Sequence, residues 1–285
     1  MIVSIIGLGL MGGSMALSLR QKLKPSILLG VEKKLEHADI AIKLGIVDRV
    51  CSLEEAIDKS DVIVLALPVN DNDKYITSIL DGVKESSVIF DMGSTKESIC
   101  SITKNHANRK QFVATHPIAG TEHSGPEAAF DLLFKNKLCI ICDKEKSSPK
   151  AIELVENIYE KIGMNIIEMD SSRHDKHIAY VSHISHISSF ALGHTVLEIE
   201  KDQQAIFNMA GSGFASTVRL AKSSSKTWVP IFRQNSDNIL MALNKYIENL
   251  EYFRDKIESK SFDDLDKYIL RSNDIKRVLE GIKKK

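Results

Sequence analysis

Over its first 170 residues the chain alternates short apolar runs with amphipathic stretches. Residues 2–6, 26–31, 62–66, 88–91, 112–114, 138–142 and 165–168 are rich in Ile, Val and Leu and are bounded by polar or turn residues. Their apolar positions are consecutive rather than alternating, which predicts strands covered on both faces of a parallel sheet. Between them, residues 12–22, 35–44, 53–59, 74–83 and 150–162 carry helical patterns. Strand–helix alternation of this kind predicts an α/β, doubly wound N-terminal domain over residues 1–170. Beyond Asp170 the strand signals stop. Residues 171–200, 203–209, 216–221, 227–253 and 262–279 read as helices, which predicts an all-α C-terminal domain over 171–285. There, Ile239, Leu243, Tyr246, Ile247 and Leu250 have the spacing of an apolar helix face. That face is either core or the seam of a homodimer formed through the helical domain.

Composition narrows the function classes. A length of 285 residues suits two domains, and 43% hydrophobic residues suffice for a buried core. Lys+Arg and Asp+Glu both number 38, so no basic field for nucleic acid or an anionic membrane exists at the level of the whole chain. The longest apolar runs are far below the roughly 18 residues of a membrane span. Met1-Ile2-Val3-Ser4-Ile5-Ile6 lacks the basic segment of a signal peptide and runs into glycines. Four scattered cysteines fit reduced thiols in a cytoplasm.

Gly7-Leu8-Gly9-Leu10-Met11-Gly12 follows the first strand and opens the first helix. This is the context that the dinucleotide fingerprint of a Rossmann-type domain requires. Gly7 serves the tight turn, Gly9 the close approach of a pyrophosphate and Gly12 the packing of helix on strand, with the helix N-terminus facing the phosphates. Glu32 ends the second strand twenty residues beyond Gly12. A carboxylate there binds a ribose 2′-hydroxyl and repels a 2′-phosphate, which predicts NAD over NADP, although Lys33 and Lys34 follow at once. Pro68 ends another strand at the same edge, as a plain turn or as a cofactor contact.

Two further loops should emerge at that edge, carrying Ser94 and His116. His116 is read either as a structural histidine or as an acid–base catalyst facing the nicotinamide, with Ser94 holding the imidazole or a substrate oxygen. His174, His177, His183 and His186 cluster at the start of the helical half. No acidic set completes a metal geometry around them, and hydride transfer to a nicotinamide needs no metal, so no metal site is predicted. Cys139 and Cys142 resemble a C-x-x-C motif but lie three apart on a strand, so they point to opposite faces and read as buried structural cysteines. Arg219 is open between a surface salt bridge and a bidentate clamp for a carboxylate.

Taken in order, Gly7–Gly12 continuing as Gly13-Ser14-Met15-Ala16, then Asp91-Met92-Gly93-Ser94-Thr95-Lys96, His116-Pro117-Ile118-Ala119-Gly120-Thr121-Glu122 and Ser182-His183-Ile184-Ser185-His186, with Arg219 and Trp228, resemble the prephenate/arogenate dehydrogenases of tyrosine biosynthesis. The resemblance covers residues 1–245. It implies NAD-dependent oxidative decarboxylation of prephenate to 4-hydroxyphenylpyruvate. It also implies roles: His116 removes the proton of the substrate hydroxyl, Ser94 orients His116 and that hydroxyl, Arg219 grips a substrate carboxylate, Thr121 and Glu122 line the pocket and control entry, and His186 organises the pocket near the nicotinamide.

One residue departs from the pattern. Some relatives carry a lysine four residues before the arginine, where this chain has Ala215. Either one substrate carboxylate has another partner or the substrate's side chain differs. The length also leads us to expect a single activity, without a fused chorismate mutase or C-terminal regulatory domain, so that any inhibition by tyrosine acts at the active site. The readings weighed against prephenate are arogenate, a β-hydroxyacid dehydrogenase using Lys96 as its catalytic lysine, and a silent NAD-binding module. The last has no need of Ser94, His116 and Arg219 together.

Overall fold

The computed structural model describes residues 1–200 and 208–283. Met1–Ser236 form one compact unit and Asp237–Lys285 a second. The first unit is built on one eight-stranded sheet. Its strands are β1 (Ile2–Ile6), β2 (Ile27–Val31), β3 (Arg49–Val50), β4 (Val62–Leu65), β5 (Val88–Asp91), β6 (Phe112–Ile118), β7 (Leu138–Cys142) and β8 (Asn165–Met169), in the order β3-β2-β1-β4-β5-β6-β7-β8. Helices α1 (Leu10–Lys22), α2 (Leu35–Lys43), α3 (Leu53–Lys59), α4 (Val69–Gly82), α5 (Glu97–Thr103) and α6 (Pro149–Lys161) alternate with the strands, and from Ser171 onward the described residues hold helices and no strand. This is a Rossmann-type α/β architecture followed by an all-helical part. Among the described residues, no helix is long and apolar enough to cross a membrane.

The consecutive apolar residues of each strand divide between the two faces of the sheet. Ile5, Val64 and Phe90 belong to one core cluster, while Ile6, Ile63, Leu65 and Ile89 belong to the other. Both faces are dry, which is why alternation is missing from the sequence. Cys139 joins the first cluster and Cys142 the second, on opposite faces of β7. Burial pushes the Cys100 thiol up to about 12 and raises those of Cys139 and Cys142 as well.

Chain direction departs from an all-parallel sheet at β7, which runs antiparallel to β6. Between β6 and β7 the chain has only a 3-10 turn, Pro126–Ala128, and without a crossover helix a neighbouring strand returns antiparallel. β6 is also longer than its apolar core suggests. It pairs with β5 only at Phe112 and Val113, then continues beside β7 as far as Ile118. His116 therefore lies inside a strand rather than on the loop that the sequence suggests. Pro117 is tolerated there because this stretch no longer pairs with β5.

The helical half is more segmented than its pattern. The sequence predicts one helix over 171–200, whereas the structure has α7 (Ser171–Ile178), a π-helical turn over Ala179–His183, and α8 (Ile184–Glu200). The helix expected over 203–209 falls mostly outside the described residues. Next come α9 (Ser212–Val218), a 3-10 turn over Arg219–Lys222 and α10 (Ser225–Gln234). The helix expected over 227–253 is interrupted at Asn235, and α11 (Ser236–Glu258) follows. The second unit holds most of α11, with α12 (Phe262–Ser272) and α13 (Ile275–Lys283). Within it, Tyr252 stacks on Tyr268 at 4.7 Å, and Lys256 Nζ pairs with Asp264 Oδ2 at 2.7 Å.

The seat of α1 on β1 depends on missing side chains. A Cβ on Gly12 would stand 1.9 Å from the Gly7 carbonyl oxygen, and one on Gly13 2.8 Å from Ala129 Cβ. Gly12→Ala therefore forces helix and strand apart, at an expected cost of about 1–3 kcal/mol with weakened dinucleotide binding. Denaturant unfolding and a cofactor titration check this; a parental unfolding midpoint with parental affinity would refute it.

Candidate active site

The order of the sheet reverses between β1 and β4, whose carboxyl ends open the crevice where open α/β sheets hold ligands. Gly7, at φ 96°, turns the chain out of β1, and a Cβ there would meet the Ala66 carbonyl at 2.7 Å. Gly9 is different, because a Cβ on it would meet nothing within 4 Å. The loop is thus closed on its protein side at Gly7 and Gly12 and open at Gly9. Leu10 is buried and Met11 half-buried at the start of α1. Gly9 caps this helix with no side-chain hydrogen bond, and the first turn holds no acidic residue, so its N–H groups are available to an anion. Glu32 accepts from the Leu8 N–H at 3.1 Å through Oε2 and from the Lys34 N–H at 3.0 Å through Oε1, which fixes its carboxylate beside the glycine loop. Lys33 Nζ donates to the Tyr75 hydroxyl at 2.7 Å. Pro68 caps α4 at the end of the β4 loop. These residues fit a dinucleotide: an open glycine, an uncapped helix end and an anchored carboxylate.

On the same side of the sheet lies a buried polar cluster. His116 is 8% exposed, and its Nδ1 lies 2.8 Å from His174 Nε2. His174 Nδ1 in turn lies 2.7 Å from Asp175 Oδ1. The Asp175 carboxylate accepts two backbone N–H groups, from Lys96 at 2.8 Å on Oδ1 and from Glu97 at 3.0 Å on Oδ2. Asn235 Nδ2 donates to the Asp175 carbonyl at 2.7 Å and reaches His183 Nδ1 at 3.2 Å. The start of α5, the middle of α7 and the break at Asn235 are joined at one point. Burial, reinforced by nearby His174, Lys96 and His183, holds the His116 ring well below the ordinary imidazole range. Burial likewise lowers His183 to about 4. Both rings are therefore neutral near pH 7.

Ser94 sits half-buried in the loop between β5 and α5. Among the described residues the partner of the His116 ring is His174, not Ser94. Lys96 is fully buried, and its ammonium pairs with the Asp91 carboxylate, which also takes the Gly93 and Thr115 N–H groups. A lysine held in this way is a structural ion pair, which weighs against its use as a catalytic lysine.

From His116 the site runs through the remaining histidines. His183 meets Trp228 edge-on at 5.7 Å, and His186 stacks on the same indole at 3.5 Å. His186 Nδ1 donates to the Ser182 carbonyl at 3.0 Å. Burial lowers its pKa, and the Arg219 charge lowers it further. Arg219 Nη1 reaches Glu122 Oε2 at 3.3 Å, with about half of the arginine side chain exposed. Thr121 is exposed, and its Oγ1 accepts from the His123 N–H at 3.2 Å. The structure thus brings His116, His183, His186, Arg219 and Glu122 into one neighbourhood. Asp175 and Asn235 are members that the sequence reading does not single out, and His174 appears there only as one of four histidines. The available signal was a His-Asp dipeptide opening the helical half; Asn235 gave none, since it lies inside a continuous helical pattern.

Comparison with known proteins agrees with this geometry. The family model described as the prephenate dehydrogenase nucleotide-binding domain matches residues 15–168, and that described as the prephenate dehydrogenase dimerization domain matches residues 170–271. The chain is 28% identical to the prephenate dehydrogenase of Bacillus subtilis, over 95% of this chain and 74% of that one. It is also 28% identical to the cyclohexadienyl dehydrogenase of Zymomonas mobilis, over 98% and 96% of the two chains. The crystal structure of prephenate dehydrogenase from Aquifex aeolicus, in complex with hydroxyphenyl propionate and NAD+, superposes with a TM-score of 0.85 at 30% identity, covering 97% of each chain. With both halves matched by family models and the cofactor cradle formed at the sheet edge, the chain belongs to the prephenate dehydrogenase family, whose Rossmann-type domain binds a nicotinamide dinucleotide.

Proposed function

We propose that the protein catalyses the NAD-dependent oxidative decarboxylation of prephenate to 4-hydroxyphenylpyruvate and CO2. The observation that carries this reading is the ring of His116, neutral near pH 7 and buried at the edge of the cofactor crevice, with Arg219 farther along the same site. A bound nicotinamide ring supplies the acceptor for hydride. His116 takes the hydroxyl proton as the carbon–hydrogen bond at the same carbon breaks. Loss of the ring carboxylate as CO2 leaves its electron pair in the ring, which becomes aromatic, and the oxygen recovers a proton as a phenol. Ser94, in the adjoining loop, orients the substrate hydroxyl. Arg219 exchanges its half-buried Glu122 partner for a substrate carboxylate, so Glu122 and the neighbouring Thr121 control entry. His186, clamped on Trp228, organises the wall near the nicotinamide. The Aquifex protein binds hydroxyphenyl propionate, which has the phenol ring and carboxylate-bearing chain of the proposed product.

Glu32, with one oxygen on the Leu8 N–H of the glycine loop and the other on the Lys34 N–H, favours NAD over NADP. The helical residues 171–285 serve a homodimer. Exposed Leu192, Leu197, Ile247 and Leu250 supply apolar surface to cover, and the matched domain is described as a dimerization domain in its family.

Arogenate is a second reading, and Ala215 favours it. Arogenate carries an ammonium where prephenate has a keto group, and an alanine at this position does not repel that charge as a lysine would. The deciding experiment follows NADH absorbance with purified protein, NAD and either substrate, repeated with NADP. Turnover with prephenate and NAD is expected; turnover with arogenate alone would replace prephenate by the second reading, and turnover with neither would refute both.

Two further outcomes follow from the site. Arg219→Gln should raise KM about tenfold with little change in kcat, near the low end for a charged hydrogen bond because the guanidinium is half exposed; an unchanged KM would leave Arg219 a surface ion pair. The second concerns pH. The neutral form of His116 is the active one and its pKa is lowered, so kcat/KM should stay level as pH falls through 6.5 and decline only below it. The unfolded chain protonates His116 and His183 near 6.5 while the folded chain does not, so stability also falls as pH drops from 6.5 toward 4. Initial rates on protein verified as folded separate the two effects. A break in kcat/KM at or above 6.5 would show that another group is the base.

A further inference from the structure

The catalytic reading asks one thing of His116 that its position alone does not supply, namely a bare ring nitrogen facing the substrate. A neutral imidazole has one N–H and one lone pair, and the protein must choose between two tautomers. The hydrogen bonds around Asp175 make that choice one link at a time. Both oxygens of Asp175 accept backbone N–H groups, from Lys96 and Glu97, so the carboxylate is also the acceptor toward His174. The hydrogen of His174 accordingly resides on Nδ1, and its Nε2 is a lone pair. That lone pair lies 2.8 Å from His116 Nδ1, which must then carry the hydrogen of its own ring. What remains is His116 Nε2, without a hydrogen and without a partner among the described residues.

We propose that His174 and Asp175 are positioning residues that fix His116 in the tautomer with a bare Nε2, leaving that atom to take the proton of the substrate hydroxyl. The inference rests on the function proposed above for its kinetic consequence, but not for the tautomer itself. Neither residue touches substrate in this scheme. Asp175 is anchored by the first turn of α5, His174 is its neighbour on α7, and the chain reaches β6 at His116. The other polar groups facing this ring are Lys96, neutralised by Asp91, and His183. His183 is set by the same cluster in the opposite sense. The Asn235 amide donates to its Nδ1, so its hydrogen resides on Nε2, a buried atom with no partner among the described residues. One network thus fixes a hydrogen-bond acceptor at His116 and a donor at His183. The arrangement follows the general logic in which a carboxylate orients a catalytic imidazole, here with a second imidazole interposed.

Two measurements on the full chain test the proposal. The first is ring-nitrogen NMR of 15N-histidine-labelled protein without substrate, with His116 assigned through His116→Asn. The expected result is protonated Nδ1 and bare Nε2 on His116. A protonated Nε2 would overturn the proposal whatever the enzyme turns over.

The second compares His174→Leu with His174→Gln. Leucine offers no acceptor to His116, whereas glutamine presents an oxygen to His116 and an amide hydrogen to Asp175. His174→Leu should lower kcat by about a hundredfold or more, by analogy with the loss seen when a catalytic histidine is released into the wrong tautomer. KM and NAD affinity should stay within about threefold. His174→Gln should recover at least about tenfold of the loss. A His174→Leu enzyme within threefold of the parent kcat, or a glutamine variant as impaired as the leucine one, would refute the role. If the leucine variant does not fold, the parent tautomer and the glutamine variant still decide. If the parent shows the predicted tautomer but oxidises neither prephenate nor arogenate, the proposed reaction fails and the tautomer assignment stands.

Discussion

The first unit depends on one carboxylate that the fold cannot leave unsatisfied. Asp175 is 1% exposed, and it must find hydrogen-bond donors or impose a desolvation penalty of several kcal/mol. It finds them on the opening turn of α5 and on His174. Those bonds bring the start of the helical half against the sheet edge, and the carbonyl of the same residue takes Asn235 at the end of α10. Nearby, Asp91 and Lys96 neutralise each other at the floor of the crevice, and Thr115 ties β6 to the Tyr159 hydroxyl of α6 at 2.6 Å. Six secondary-structure elements, β5, β6, α5, α6, α7 and α10, thus meet in polar contacts rather than in apolar packing alone. A buried hydrogen-bond network of this kind holds its members to one geometry.

How much of this could be read from the chain depended on the kind of information each feature carries. The strands were legible because a run such as Val62-Ile63-Val64-Leu65 has no polar face, and only a covered sheet accommodates that. The glycine loop was legible because three absent side chains at fixed spacing meet a local steric demand. Chain direction was not: Leu138–Cys142 reads alike either way along the sheet, and what reverses it is the missing helix before it. Helix α5 was missed because its Glu-Ser-Ile-Cys-Ser-Ile-Thr sequence is short and half polar. The break at Asn235 was hidden inside an unbroken helical pattern. In the site, His116, His186, Arg219 and Glu122 stood in motifs, whereas the partnership of His116 with His174 spans 58 residues and leaves no local trace. The ring nitrogen Nδ1 of His116 is taken by His174 rather than by Ser94.

The electrostatics of the site change from its interior outward. Deep in the crevice, burial strips charge from imidazoles, so His116 and His183 act through hydrogen-bond direction rather than net charge. Farther out, Arg219 and Glu122 are loosely paired at 3.3 Å with the guanidinium half exposed, a contact of small energy. In the proposed reaction, recognition of anions and removal of a proton fall to different dielectric environments of the site.

The π-helical turn over Ala179–His183 has a consequence for sequence register. A turn closed by i→i+5 bonds holds one residue more than an α-helical turn. Everything after it is therefore offset by one position from a continuous α-helix begun at Ser171, a rotation of about 100°. His174 lies before this offset, and His186, stacked on Trp228, lies after it. The extra residue is what allows a single stretch of chain to direct one histidine toward the sheet and another toward the indole. Closing that turn as regular α-helix with the chain length unchanged would rotate His186 by about 100°, away from Trp228.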